Sequence, residues 1–141
     1  MTKDHATTFT GQCLCGAVSL LVRHDQPTLG VCHCGICRRW GGGPFMTLEC
    51  HRAPQIEGEE HVHVYASSEW AERGFCARCG THLFYRLKEG GFYAVSAGLF
   101  KEAENWPFAL QVFIDEKPDN YHFSNVTREM TGEEVFKAFS P

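Results

Sequence analysis

The sequence lacks an excess of positive charge, a long apolar run and any internal repeat. Its 13 lysines and arginines are outnumbered by 17 aspartates and glutamates, which gives a net charge of -4 and no reason to expect nucleic acid binding. No run approaches the ~18 apolar residues of a membrane span, and the N-terminal stretch "MTKDHATTF" has no apolar segment of the kind a secretory signal needs. We therefore expect a cytoplasmic protein that binds neither nucleic acid nor membrane.

The composition is that of a folded protein with one core. The chain has 141 residues, 43% hydrophobic and 21% charged, which favours a single domain over disorder or a fibrous class. We expect a flexible N-terminus at residues 1–8 and one domain at residues 9–141.

Short segments of alternating or β-branched character recur between turn signals, so the expected fold is mainly β. The predicted strands are Ala17–Val22, Phe45–Cys50, His61–Tyr65, His82–Leu87, Phe92–Ala97 and Ala109–Ile114. The stretch "TGEEVFKAF" predicts a short C-terminal helix, because Thr131 and Glu134 form a capping box at its start.

Cysteine, in contrast, is abundant, with eight residues. Tight groups of cysteines in a reducing compartment are metal ligands more often than disulfides. Cys13 and Cys15 form a C-x-C pair, in which an extended backbone would point both sulfurs to the same face. Cys76 and Cys79 form a C-x-x-C pair that suits a tight turn, with Gly80 directly after it. The two pairs make a tetrahedral thiolate set for a structural zinc. The alternative is reduced core cysteines, which are common singly but rare as two tight pairs flanked by glycine.

Three more cysteines, Cys32, Cys34 and Cys37, lie in the stretch "CHCGIC". An extended segment that leads into a turn would aim the three sulfurs at one point, with His33 on the opposite face as a poor fourth ligand. Three protein ligands and an open position are typical of catalytic zinc. Because a metal stabilises a thiolate at neutral pH, where a free thiol is mostly protonated, we predict a thiol substrate.

Other side chains remain open as the fourth ligand of this second site. Cys50 would reach it if its strand returned beside the cluster, although a lone buried cysteine is more simply part of the core. His51, His61 and His63 are further candidates, although isolated histidines are more often surface or hydrogen-bonded residues. The interpretation that we favour is a site of three cysteines whose fourth ligand is exchangeable.

The stretch "RRWGGG" after the third cysteine predicts a substrate-binding rim. Arg38 and Arg39 can bind carboxylates in a bidentate manner. Gly41 and Gly42 allow a peptide-like ligand to approach the backbone closely. A small acidic thiol fits this combination. The aromatic residues of the same segment either line the pocket or belong to the core.

These stretches also resemble a known family. In order along the chain, "GQCLCGAV", "CHCGICRRWGGGPF", "YASSEWAERGFCARCGTHLFY" and "VSAGLF" closely resemble the glutathione-dependent formaldehyde-activating enzymes, the Gfa-like proteins. The resemblance runs from about Gly11 to about Phe113 and includes seven cysteines with their spacings and flanking glycines.

The resemblance implies a β-tent fold of small antiparallel sheets with two zinc ions per chain. It assigns the structural zinc to Cys13, Cys15, Cys76 and Cys79, and the catalytic zinc to Cys32, Cys34 and Cys37. The family reaction joins formaldehyde to glutathione as S-(hydroxymethyl)glutathione, which is a carbon–sulfur lyase reaction in reverse. The expected partners are therefore glutathione or a related thiol and a small aldehyde, and a homodimer stays open.

Two other functions are compatible with the same residues. One is a non-catalytic, zinc-stabilised binding module whose second site is vestigial or is closed by Cys50. The other is a redox enzyme similar to B-type methionine sulfoxide reductases, which would need a reactive cysteine free of metal, again Cys50.

Overall fold

The computed structural model describes residues 6–139, and eleven strands and two helices lie in that range. The strands are β1 (Thr7–Gln12), β2 (Ser19–His24), β3 (Leu29–Cys32), β4 (Phe45–Cys50), β5 (Gln55–Glu57), β6 (Val62–Ala66), β7 (Ala71–Cys76), β8 (His82–Leu87), β9 (Tyr93–Ser96), β10 (Phe108–Val112) and β11 (Arg128–Met130). The helices are α1 (Gly35–Gly41) and α2 (Gly132–Phe139). The prediction of a mainly β fold with a short C-terminal helix is confirmed.

The strands form two sheets of unequal size. The smaller sheet is antiparallel, in the order β1-β2-β5. The larger has eight strands in the order β11-β10-β3-β4-β9-β8-β7-β6, and β10 is parallel to both of its neighbours. The family resemblance led us to expect small antiparallel sheets, so the observed fold differs in having one large mixed sheet. Parallel pairing requires a long crossover, and the chain between β3 and β10 supplies it.

One hydrophobic core joins the sheets. In β2, Leu20 and Val22 are buried while the residues between and after them are more exposed, which is the period-two pattern of a strand with one covered face. These side chains belong to the same buried cluster as Phe84 of the larger sheet and the sulfur-bearing Cys13 and Cys76. The first cysteine site is therefore built into the core.

Each of the six predicted strands overlaps an observed one, and Phe45–Cys50 and His82–Leu87 coincide with β4 and β8. Five other strands, β1, β3, β5, β7 and β11, were not predicted. Glycine weakens the strand pattern, and Gly74 inside β7 shows why it can still be required. A Cβ atom there would lie 2.3 Å from Cζ of Phe84, so the ring occupies the space that a side chain would need.

The N-terminal prediction differs from the structure in part. Strand β1 begins at Thr7, inside the segment that we expected to be flexible. The first five residues of that segment lie outside the described range.

The C-terminal helix α2 begins with the predicted capping box. The Glu134 amide donates to Oγ1 of Thr131 at 3.2 Å, and the Thr131 amide donates to Oε1 of Glu134 at 3.0 Å. The helix packs through Phe136 on Phe113 and through Phe139 on Phe92, with ring centroids 5.8 and 5.0 Å apart. Within residues 6–139, neither helix has the length and apolar character needed to cross a bilayer.

Candidate metal centres and the adjoining cavity

The first cysteine group, which we call the four-cysteine site, brings together Cys13, Cys15, Cys76 and Cys79. Their four sulfurs lie within 4.8 Å of one another. The Sγ atoms of Cys13 and Cys15 are 3.6 Å apart, and those of Cys15 and Cys76 are 3.8 Å apart. Ligands ~2.3 Å from a tetrahedral zinc are separated by about 3.8 Å. The donor set and its spacing therefore fit a zinc ion.

Two turns place these sulfurs. The chain after β1 turns through Gly16, whose φ is 80° and whose amide donates to the Cys13 carbonyl at 3.0 Å. The chain after β7 turns through Gly80, whose φ is 78° and whose amide donates to the Cys76 carbonyl at 2.8 Å. The prediction of a turn at the second pair fits the structure. The extended backbone predicted for the first pair is wrong, because Cys15 lies in a turn as well.

Thr81 joins the two turns through its hydroxyl group. Its Oγ1 accepts a hydrogen bond from the Leu14 amide at 3.1 Å and lies 3.1 Å from Sγ of Cys79. The hydrogen bond from this hydroxyl is the main reason why the pKa of Cys79 falls to about 5. The turn thus favours a thiolate at this position.

The second group, which we call the three-cysteine site, brings together Cys32, Cys34 and Cys37, whose sulfurs also lie within 4.8 Å of one another. Cys32 ends β3, Cys34 is the N-cap of α1, and Cys37 lies in the first turn of that helix. The Cys37 amide donates to Sγ of Cys34 at 3.3 Å. We predicted a turn followed by a substrate-binding rim, and the structure has helix α1 there, with Gly42 in the left-handed conformation as its C-cap.

The three sulfurs do not ionise independently. The hydrogen bond from Cys32, followed by the one from Cys37, holds the pKa of Cys34 far below that of an ordinary thiol. The same contact with Cys34 raises the pKa of Cys32. Like charges at this separation oppose one another, so a cation is needed before all three sulfurs can be thiolates. The cluster fits a metal ion for that reason.

Arg73 of β7 supplies a positive charge at this site, and the sequence analysis did not identify it. Its Nη1 and Nη2 atoms both donate to Sγ of Cys37 at 3.4 Å, and its Nε donates to Oγ of Ser67 at 3.2 Å. Its guanidinium lies over the rings of Trp40 and Tyr85, with Cζ 5.1 Å from each centroid. The residue is only 3% exposed. No local pattern in the sequence of β7 marks this arginine as buried, since burial does not alternate along the strand and both Arg73 and Gly74 are buried.

The other candidates for a fourth ligand lie elsewhere in the part of the chain that the structure describes. His33 is buried and directed away from the cluster, since its Nε2 is 2.8 Å from Oε1 of Gln111 and its Nδ1 is 2.8 Å from the Tyr121 hydroxyl. Cys50 is buried and its pKa is raised to about 11 by that burial. Within residues 6–139, neither Cys50 nor any histidine joins the three sulfurs as a fourth ligand.

A cavity of about 400 Å³ lies beside Arg38 and Arg39, the two residues that directly follow Cys37 in the chain. It is lined by Arg38, Arg39, Gly42, Gly43, Pro44, Pro118, Asn120 and Tyr121. The position of Arg38 is fixed because its Nε donates to the His33 carbonyl at 2.9 Å. Since Tyr121 also contacts His33, the cavity wall is tied to the residue between the first two cysteines of the cluster.

Not all of the predicted rim lines this cavity. Arg38, Arg39 and Gly42 do. Gly41 lies next to His82 instead, where a Cβ atom would be 3.9 Å from Nδ1 of the ring. The aromatic residues of the segment pack against other side chains, since Trp40 stacks on His82 with centroids 3.9 Å apart and contacts Phe45 edge to face at 5.3 Å.

The comparisons with known proteins agree with this arrangement. The sequence model of the family described as "Glutathione-dependent formaldehyde-activating enzyme" matches residues 8–116, which contain both cysteine sites. The chain belongs to this family. The predicted family resemblance is therefore confirmed.

Relatives of this family member include a protein of Schizosaccharomyces pombe named an uncharacterized lyase. It is 44% identical over 131 residues, which cover 92% of this chain and 96% of the relative. A crystal structure of a Rhodobacter sphaeroides protein has the same fold, with a TM-score of 0.54 and 23% sequence identity over 65% of this chain and 87% of that one.

Proposed function

We propose that this protein is a zinc-dependent carbon–sulfur lyase that binds glutathione or a related acidic thiol and joins it to formaldehyde or another small aldehyde. The observation that carries the proposal is a cluster of three cysteine sulfurs with no fourth protein ligand in residues 6–139. The two arginines that follow the last of these cysteines line a cavity. Membership of the formaldehyde-activating family and the lyase name of the S. pombe relative support the reaction class.

The two cysteine groups have different roles in this proposal. The four-cysteine site holds a structural zinc, because its donor set is complete and part of it is buried in the core. The three-cysteine site holds the catalytic zinc through Cys32, Cys34 and Cys37. When bound there, zinc supplies an open coordination position that stabilises the thiolate of an incoming substrate.

The cavity binds the rest of the thiol. Arg38 and Arg39 present guanidinium groups that suit the carboxylates of a small peptide. Asn120 and Tyr121, in the loop before β11, add an amide and a hydroxyl group to the cavity lining. Gly42 and Gly43 leave room for the backbone of the ligand. The proposal requires that a thiol bound by these residues extends its sulfur to the three-cysteine site.

The reaction then forms one carbon–sulfur bond. The substrate sulfur adds to the carbonyl carbon of the aldehyde, the carbonyl π bond breaks, and the proton lost by the thiol ends on the new hydroxyl group. Thiols add to formaldehyde without a catalyst, so the protein accelerates the step by ionising the thiol and by orienting it.

An exchange experiment tests this function. In an equilibrium mixture, ¹³C-formaldehyde and glutathione interconvert with S-(hydroxymethyl)glutathione. We expect the zinc-loaded protein to accelerate this interconversion, measured by NMR exchange spectroscopy. Cys34→Ser should lose the acceleration, and Cys50→Ser should keep it, because Cys50 lies outside the cluster. The proposal is wrong if wild-type protein neither accelerates exchange nor binds glutathione in a calorimeter. Thiol binding without acceleration would favour a binding module.

The redox alternative has less support. It needs a reactive cysteine outside the metal sites, and Cys50 is buried with a raised pKa. A thiol of that kind is a poor nucleophile at neutral pH. Loss of activity in the Cys50→Ser protein would reverse this judgement.

A further inference from the structure

Arg73 is a buried cation whose charge no carboxylate in residues 6–139 balances through an ion pair. Its hydrogen bonds go to the sulfur of Cys37 and to the hydroxyl of Ser67. A buried charge is costly unless an opposite charge lies beside it. The sulfur of Cys37 lies where an opposite charge would balance Arg73, and it would carry that charge as a ligand of a bound metal ion.

The guanidinium is held in one orientation by its surroundings. It lies over the ring of Trp40 in α1 and over the ring of Tyr85 in β8, with each centroid 5.1 Å from Cζ. Trp40 in turn stacks on His82, with ring centroids 3.9 Å apart. Because Trp40 and Cys37 are on the same helix, the stack also fixes α1 against β7 and β8.

The charge of the three-cysteine site explains what such an arginine would do. Three thiolates on a divalent cation leave a net charge of -1, and a fourth thiolate from a substrate would make the net charge -2. A water molecule in the same position would leave the charge unchanged. A cation in contact with one of the sulfurs therefore favours the anionic sulfur ligand over water.

We propose that Arg73 is a positioning residue that holds Cys37 for metal binding and offsets the charge of the three-cysteine site, so that this site accepts an anionic substrate thiolate. This inference rests on the proposed function in so far as the cluster must bind zinc. It assigns to β7, which ends in a ligand of the four-cysteine site, a second role at the three-cysteine site.

The chain contains a matched control in Arg86. Its guanidinium also lies over two aromatic rings, 5.2 Å from Phe84 and 5.9 Å from Tyr93, and it forms an ion pair with Glu72 at 2.9 Å. Arg86 belongs to the strand next to Arg73 but has no cysteine partner. Replacing either arginine by methionine removes a stacked cation, whereas only one replacement removes a contact with the cluster.

The first test measures zinc retention. Zinc-loaded wild type, Arg73→Met, Arg73→Lys and Arg86→Met are titrated with a chromogenic chelator, and Cys34→Ser protein identifies the zinc of the four-cysteine site. We expect the second zinc of Arg73→Met to bind about 10- to 100-fold more weakly. Arg73→Lys should fall between Arg73→Met and wild type, because it keeps the charge and one donor. Arg86→Met should keep wild-type zinc affinity at both sites.

The second test measures glutathione binding to those zinc-loaded proteins by calorimetry. We expect weaker binding in the order wild type, Arg73→Lys, Arg73→Met, with Arg86→Met equal to wild type. Equal zinc retention and equal thiol affinity in wild type and Arg73→Met would overturn the inference, as would equal losses in Arg73→Met and Arg86→Met. Absence of a second zinc from the wild-type protein would instead overturn the proposed function.

Discussion

The four-cysteine site lies where two turns meet, whereas the three-cysteine site lies where a strand enters a helix. Each turn contributes two sulfurs and ends in a glycine with positive φ, so two turns complete a tetrahedral set. The strand–helix junction contributes three sulfurs by itself, and β7, a distant strand of the same sheet, contributes a cation, Arg73, in place of a fourth cysteine. Local backbone geometry thus decides which site receives four cysteine sulfurs and which receives three.

The two sites are also mechanically connected. Strand β7 carries Arg73 in its middle and Cys76 at its end, and β8 begins with His82 directly after the turn that contains Cys79. A metal bound at the closed site fixes the ends of the two strands that support the open one. The sites therefore differ in ligand number, and the geometry of the three-cysteine site also depends on the four-cysteine site.

The largest expected effect is the difference in stability between a cysteine-to-serine substitution in the four-cysteine site and one in the three-cysteine site. Cys76→Ser should prevent stable folding, because structural zinc contributes about 10–16 kcal/mol in small domains and whole domains are stable by only about 5–15 kcal/mol. Cys34→Ser should keep the fold and one zinc ion. Circular dichroism melts and metal analysis of both proteins measure this. Equal melting temperatures for the two variants would contradict the assignment of roles.

The strand that links the sites provides the next prediction. Gly74→Ala places a methyl group against the Phe84 ring, 2.3 Å from Cζ, and should cost about 1–3 kcal/mol. Gly98→Ala is the matched control, since nothing lies within 4 Å of its Cβ position. Chemical denaturation of the zinc-loaded proteins measures the difference. A Gly74→Ala protein as stable as the control would show that β7 adjusts without cost.

A change remote from both sites should alter stability alone. Thr131→Ala removes the capping hydroxyl of α2 and should cost about 1 kcal/mol. Thr131→Ser keeps the hydroxyl and should remain close to wild type. Both variants should retain as much zinc as wild type when titrated with a chelator. Loss of zinc from the alanine variant would mean that α2 supports a metal site.

The smallest expected effect concerns pH. Burial, followed by the charge of Arg73, lowers the pKa of His82 from 6.5 in the folded state. The unfolded chain then binds more protons than the folded chain as the pH falls through about 6.5, so folding stability declines towards acid and the loss is complete below the folded pKa. The effect is modest because the ring is partly exposed to solvent.

The His82→Phe protein provides the comparison for this pH effect, because it keeps the stack on Trp40 without a titratable group. The wild type should lose more stability than His82→Phe between about pH 7 and pH 5, measured by denaturant unfolding. Acid also protonates metal-binding cysteines, but that effect is common to both proteins and cancels in the difference. Parallel pH profiles would show that His82 does not contribute.

The sequence was sufficient to find both cysteine groups, because their spacing is local and chemically specific. It also predicted α2, whose capping box lies within four consecutive residues. It did not predict α1, because the glycines that follow Trp40 resemble a loop. In the structure only Gly42 of these ends the helix in a left-handed conformation.

The residues that surround the open site were harder to predict. Arg73 contacts Cys37 across 36 positions of sequence, and Tyr121 contacts His33 across 88. These contacts depend on sheet pairings that no local pattern encodes, in particular the parallel pairing of β10 with β3. Gly41 was placed in the rim by sequence proximity alone, and the helix turns it towards His82 instead.

The central claim is that the three-cysteine site accepts a sulfur from outside the chain. The most direct measurement is the absorption spectrum of protein with cobalt(II) at this site, titrated with glutathione and with S-methylglutathione. We predict that glutathione increases the sulfur-to-cobalt charge-transfer absorption from that of three thiolates to that of four, and that the methylated analogue has no effect. No change with glutathione, or the same change with both compounds, would contradict the account.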